Sequence, residues 1–300
     1  MRDCDLCHLF SSVTPKRDYI QIRLLVAAKE VFLNRPRIHV QPTFTLAVVP
    51  LVISSMTPYQ PCSDRCEDRG YVFAKARGSR NEQWNKVAET THANLPQIDF
   101  KKLNTWVLKC DSCHKDLCGL KKGLGFSIPL LCIDCHTRLV VNINEADDYI
   151  ALSHVWGTNR LNKPHRTQQH GNFLPLDSGT QVIEDAIAVV ISLGKQYLWV
   201  DQYCVNQLDM NIKAIQIREM DRVYAGAYLT LVACAGIDAD YGLPEVSRER
   251  KLRPLATLPD FEVFSSLPAL SVAIRNTKWR TRGWTYQEGV LSHRCLFFTH

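Results

Sequence analysis

Twelve cysteines in a 300-residue chain make metal chemistry the first question. Cys110-x2-Cys113 and Cys132-x2-Cys135 are separated by 18 residues. That is the spacing of a four-thiolate zinc ribbon, in which two knuckles on facing turns make one tetrahedral site. His114, Cys118 and His136 are alternative ligands, and Cys4-x2-Cys7 with Cys62-x3-Cys66 offers a further set. The competing reading is free buried thiols, which pack as small hydrophobes. Cys4-Asp-Leu-Cys-His8, Cys110-Asp-Ser-Cys-His114 and Cys132-Ile-Asp-Cys-His136 also fit the c-type haem attachment pattern. Covalent haem attachment needs an export route or organelle, and residues 1–5 are charged with no apolar signal core, so haem is set aside.

Ser153, His154 and Asp201 supply the residue types of a hydrolase triad, but no Gly-x-Ser-x-Gly elbow accompanies them. His154 has the type of a general acid or base; the alternative is an imidazole that is simply hydrogen-bonded at a strand end. Asp201 closes an apolar run, where a carboxylate is costly unless hydrogen-bonded. It can accept from the backbone of residues 203–207 and cap the turn, or form a ligand site with Asn206 and Gln207. No Walker-type or Gly-x-Gly-x-x-Gly loop is present, so P-loop nucleotide hydrolysis is not expected.

The elements that must position these groups follow from periodicity. Residues 149–154 read as a strand. Val182, Ile183, Ala186, Ile187, Val190 and Leu193 share one helical face, with Thr180 as N-cap and Gly194 as the stop. Residues 197–201 form a short buried strand, 211–226 a second helix with Ile217, Met220, Val223, Tyr224 and Ala227 inward, and 229–235 another strand. Residues 294–299 add one more. Strand alternating with helix predicts an α/β layer with a mostly parallel sheet flanked by helices, whose sites form at the carboxyl ends of the strands. Upstream, 23–32 fits a short helix and 44–54 a buried strand within an irregular Cys-rich region. The expected organisation is an irregular or poorly ordered leader over 1–100, a Cys/His-rich segment over 101–145, and the α/β domain over 146–300.

Hydrophobic residues make 46% of the chain and charged ones 22%, which excludes a disordered, collagen-like or coiled-coil chain. The net charge of +6 comes with no basic block, so nucleic acid is not the expected partner. The longest apolar run, 44–56, holds 13 residues and Pro50, short of the roughly 20 of a membrane span. The thiols and the absence of a signal core point to a reducing, cytoplasmic setting.

Three blocks coincide in order. Tyr149-Ile-Ala-Leu-Ser-His-Val-Trp-Gly157 is the first. Tyr197-Leu-Trp-Val-Asp-Gln-Tyr-Cys-Val-Asn-Gln207, followed by Ile217-Arg-Glu-Met220 and Val223-Tyr224, is the second. Trp279-Arg-Thr-Arg-Gly-Trp-Thr-Tyr-Gln-Glu288, followed by Leu291 and Leu296-Phe-Phe298, is the third. Together they resemble the fungal heterokaryon-incompatibility (HET) domain over about 149–300. Trp106-x3-Cys110-x3-His114-x3-Cys118 resembles a pattern that often precedes it. His154 stands where the family commonly has Tyr, and Tyr203 and Val205 replace a small residue and Ile. Family members are often longer, so a truncated or minimal form is expected.

The resemblance implies non-self recognition between fungal cells ending in programmed cell death, through self-association or partner proteins. It also implies a distant relation to TIR domains and a TIR-like or flavodoxin-like fold. TIR NADases carry a catalytic glutamate in a similar Trp-x3-Glu setting, which Trp284 and Glu288 reproduce. On that reading Glu288 stabilises the oxocarbenium-like state of nicotinamide–ribose cleavage, NAD is the substrate, and Trp284 and Tyr286 stack on a flat ring. Ser153, His154, Trp156, Asp201, Asn206 and Gln207 would line the ligand site. The alternative is that Glu288 pairs with Arg280 or Arg282 and fixes the loop.

Overall fold

The computed structural model describes residues 22–27, 45–50, 72–76, 97–114, 118–119, 125–157, 179–249, 255–257, 259, 261–265, 270–275 and 277–299. The chain divides into two compact units: residues 1–96 with 251–273, and 97–250 with 274–300.

The first unit carries five strands, β1 Ile22–Ala27, β2 Thr45–Pro50, β3 Val72–Ala76, β9 Leu255–Thr257 and β10 Phe261–Ser265. They form one antiparallel sheet in the order β1-β2-β3-β10-β9. Of residues 23–32, expected to be helical, 23–27 instead belong to β1, and 28–32 lie outside the described residues. Ile22, Leu24 and Val26 recur with period two, and Ile22 pairs with Pro50 at the far end of a six-residue ladder. β2 falls within the strand expected over 44–54, whose other positions lie outside the described residues.

The second unit opens with α1 Phe100–Cys113, capped by the Asp99 carboxylate, which accepts from the Lys102 N–H at 3.1 Å. Then come β4 Leu130–Asp134, β5 Leu139–Ile143 and β6 Tyr149–Ser153. After them run α2 Gln181–Ser192, β7 Tyr197–Val200 and the single turn α3 Asp201–Cys204. Next are α4 Met210–Arg218, α5 Met220–Gly226 and β8 Leu229–Ala233. α6 Leu270–Arg275 runs across the division after residue 273, and a 3₁₀ turn Trp279–Thr281, α7 Thr285–Leu291 and β11 Cys295–Phe298 follow in the second unit. The sheet order is β11-β8-β6-β7-β4-β5.

β11, β8, β6 and β7 are mutually parallel, as expected for βαβ chemistry, while β4 and β5 add an antiparallel edge. That edge was not foreseen: the cysteine spacing drew 130–143 toward a metal knuckle, and its turn is closed by Arg138 at φ 61. The six predicted inward residues of α2 are all buried. Thr180 holds the N-cap position, but its carbonyl rather than its hydroxyl receives the first-turn N–H groups of Ile183 and Glu184. The helix expected over 211–226 breaks at Glu219, whose backbone (φ −96, ψ 6) leaves α-helical geometry. The Glu219 side chain turns instead to Ser127, accepting from its N–H at 2.9 Å.

β6 and β8 are buried at every position, and Trp199 meets Tyr224 edge to face at 5.5 Å in the core between sheet and helices. Tyr149 Oη donates to the Val223 carbonyl at 2.6 Å, fixing α5 against β6. No helix among the described residues is long and apolar enough to cross a membrane.

Candidate functional site

β6 leads through α2 to β7 on one side, whereas β8 leads toward β11 on the other. The outgoing connections diverge there, so the carboxyl ends of β6 and β8 form the crevice where α/β sheets place their sites. Ser153 is the last residue of β6 and is 1% exposed, so its hydroxyl requires partners. It accepts from Trp279 Nε1 at 2.6 Å and donates to the Glu288 carboxylate. Glu288, on the first turns of α7, is 2% exposed.

Arg282 ties the crevice together. Its guanidinium donates to the His154 carbonyl and stands 4.0 Å from Glu288 Oε1. The Arg282 carbonyl accepts from Thr285 Oγ1 at 2.7 Å, which sets the start of α7. Behind Glu288, its carbonyl accepts from Ser292 Oγ at 2.6 Å, and Ser292 Oγ lies 2.7 Å from Thr230 Oγ1 on β8. Trp279 packs edge to face on Phe297 of β11 at 6.0 Å. The 279–292 segment is therefore fastened to β6, β8 and β11.

Asp201 begins α3 at the end of β7. Both its carboxylate oxygens accept from Trp156 Nε1, at 2.8 and 2.9 Å. Burial pushes its carboxyl up to about 7, against the opposing pull of Arg282 and Trp156 and with the help of the nearby Glu288 charge. Burial also raises Glu288, opposed by the Ser153 hydrogen bond and Arg282. Two carboxyl groups thus share one guanidinium in a desolvated crevice.

The structure brings Ser153, Trp156, Asp201 and Glu288 together and adds Trp279 and Arg282. The cap expected of Asp201 differs: its carboxylate serves Trp156, and its carbonyl accepts from the Val205 N–H at 3.3 Å and Gln207 Nε2 at 3.4 Å. Asn206 is spent on the following turn, its Oδ1 accepting from the Leu208 and Asp209 N–H groups at 2.9 Å each. His154 is buried beside this cluster in sequence. Trp284 is 47% exposed at the N-cap of α7. The side chain of Tyr286 lies outside the described residues. Trp279 and the Ser153–Glu288 contact were missed as site features. The Trp-Arg-x-Arg run gave a signal for the former, and nothing local marks a contact spanning 135 positions.

The four-cysteine ribbon is not brought together. Cys132 and Cys135 are buried in and just after β4, and Cys113 is exposed on α1. Burial raises the Cys132 thiol and pushes Cys135 and Cys204 up to about 12, so these are neutral core thiols. Among the described residues, the grouping that could hold a metal is Cys110, His114 and Cys118, with ligand atoms within 4.8 Å of one another.

A mostly parallel α/β sheet with an antiparallel edge thus carries a cluster of charged and buried polar side chains at the carboxyl ends of β6 and β7. The model of the Heterokaryon incompatibility protein (HET) family matches residues 149–288, the span that holds every member of this crevice. Heterokaryon incompatibility protein 6, OR allele, of Neurospora crassa is 30% identical over 100 residues. Those residues cover 30% of this chain and 15% of that protein. No solved structure matches the chain. Residues 149–288 of this chain therefore resemble a heterokaryon-incompatibility (HET) domain.

Proposed function

We propose that this chain is a signalling module of heterokaryon incompatibility, acting in the cytoplasm in non-self recognition between fungal cells and leading to programmed cell death. It acts by self-association or partner contact. The HET match supports the role. The observation that carries the contact mechanism is the closure of the crevice. Glu288 is 2% exposed, engaged by Ser153 and faced by Arg282, so its carboxylate holds the 279–292 segment on the sheet. Contact surface lies elsewhere: α4 buries none of its residues, and Leu208 and Met210 are 56% and 70% exposed around its start.

A second reading has its own observation. Asp201 and Glu288 flank Arg282 at the switch-point crevice. A pair of carboxyl groups, one able to hold its proton and one ionised, is the equipment of glycosidic-bond cleavage. In a TIR-like NAD glycohydrolase Glu288 would face the ribose once α7 lifts, with Trp284 stacking on the nicotinamide.

The test is expression of the full chain, as wild type and Glu288→Gln, in a fungal host, scoring viability and cellular NAD. Glutamine keeps the shape and can still accept from Ser153. The contact mechanism expects both proteins to kill with NAD unchanged. NAD depletion by wild type that disappears in a folded Glu288→Gln protein would overturn it in favour of the enzyme.

A further inference from the structure

The crevice leaves unused a second constellation, at the end of α1. Cys110, His114 and Cys118 recur at intervals of four, and a continuous helix would hold the first and last about 12 Å apart along its axis. The structure does not keep them so. α1 ends at Cys113, and His114 departs from helical geometry at φ −122, ψ 31. The chain then resumes a helical hydrogen bond, from the Cys118 N–H to the His114 carbonyl at 2.8 Å. With that break the three ligand atoms stand within 4.8 Å of one another.

The returning segment is fixed from outside the ligand set. The Cys118 carbonyl accepts from Arg294 Nη2 at 2.9 Å. Arg294 also pairs with Asp111 at 2.6 Å, and Asp111 accepts from Tyr228 Oη at 2.6 Å. Asp111 follows Cys110 directly on α1. Both ends of the constellation are thereby held on the β8–β11 side of the sheet, which is how supporting contacts orient metal ligands.

We propose that Cys110, His114 and Cys118 form a zinc site, with two thiolates and one imidazole as protein ligands and water in the fourth position. Two sulfurs and one nitrogen are a soft, tetrahedral donor set suited to zinc. Tetrahedral zinc–sulfur bonds of about 2.3 Å place ligand atoms about 3.8 Å apart, so closure needs only rotamer adjustment from the present spacing. Binding releases the two thiol protons to solvent. The metal ties Cys118 to the end of α1, and Arg294 contacts both Cys118 and Asp111. This assignment uses neither Cys132 nor Cys135.

The full chain, purified under reducing conditions, is assayed for bound metal by elemental analysis. One zinc per chain is expected in the wild type and in Cys132→Ser, and none at this site in Cys110→Ser/Cys118→Ser, whose content should fall by one. To separate ligand loss from misfolding, chelator-stripped wild type is titrated with cobalt(II). The intense visible absorption of tetrahedral thiolate-bound cobalt should saturate at one equivalent and be displaced by zinc. Zinc content unchanged in the double variant, a weak octahedral cobalt spectrum, or a Cys110–Cys118 disulfide in place of metal would each overturn the assignment.

Discussion

Ser153 is the hinge of the crevice, and removing its hydroxyl tests the whole arrangement. In Ser153→Ala the Trp279 N–H loses its acceptor and the Glu288 carboxylate loses its donor. Both groups are buried, Trp279 at 5% and Glu288 at 2% exposure, so water does not replace what is lost. An orphaned buried polar group costs about 1–3 kcal/mol, and more when charged, which puts the substitution at about 2–5 kcal/mol. The stronger measurement is a double-mutant cycle with Glu288→Met, read as urea midpoints. Once Glu288 is gone, Ser153→Ala orphans only Trp279, so the double variant should lose less than the sum of the singles. A hydrogen bond to a charged group predicts a coupling of about 1.5–3 kcal/mol. Additivity within about 0.5 kcal/mol would show that the two side chains do not interact, and the reasoning built on the lock would fail.

Asp201→Asn should flatten the pH profile of stability. A folded carboxyl raised to about 7 binds protons more tightly than its unfolded counterpart, so wild type loses stability as pH rises from about 4 to about 7. Unfolding midpoints across that window should decline less in the variant, and parallel curves would refute the assignment. Asp185 is 3% exposed and accepts from the Leu243 N–H at 2.6 Å, Ser247 Oγ at 2.6 Å and Gln181 Nε2 at 2.8 Å. Asp185→Ala should cost about 2–4 kcal/mol in urea unfolding, chiefly by orphaning the Leu243 amide. Among the described cysteines, exposed Cys113 should be alkylated within the native protein, whereas Cys132, Cys135 and Cys204 react only on unfolding. Peptide mapping after timed alkylation checks this, and early modification of Cys132 would contradict its place in the core.

Legibility tracked the range of the signal. α2 could be read from Val182, Ile183, Ala186 and Ile187 because helical period and burial coincide within four residues. β6, β7 and β8 were legible as apolar runs bounded by turns. β4 and β5 were not, because Cys132 and Cys135 resemble metal knuckles by spacing alone. A buried thiol and a ligand thiol share one letter, and only the packing around β4 separates them. The Glu219 break was equally hidden: Ile217, Met220 and Val223 fit one helix, but the Glu219 side chain bonds Ser127, 92 positions away. At the site, Ser153, Asp201 and Glu288 could each be named from their local setting. Their convergence depends on strand order, and a contact spanning 135 residues leaves no trace in a window of ten.

The shared cation decides how the crevice can work. Arg282 is the guanidinium that lowers both Asp201 and Glu288, yet burial outweighs it at each. Burial holds the Asp201 carboxyl up at about 7 and also raises Glu288, so a proton on the pair lies within reach of neutral pH. A retained proton is compatible with a lock, since a neutral carboxyl still bonds Ser153. Stabilising the ribosyl cation of nicotinamide–ribose cleavage asks instead for the ionised carboxylate. The two mechanisms therefore part over the charge on Glu288 and over what it touches when the domain acts. A lock needs only its shape and hydrogen bonds, which glutamine preserves. A stabiliser of the cation needs the negative charge itself, which glutamine cannot give. Loss of killing in a Glu288→Gln protein that keeps the wild-type urea midpoint would separate chemistry from architecture at this one residue.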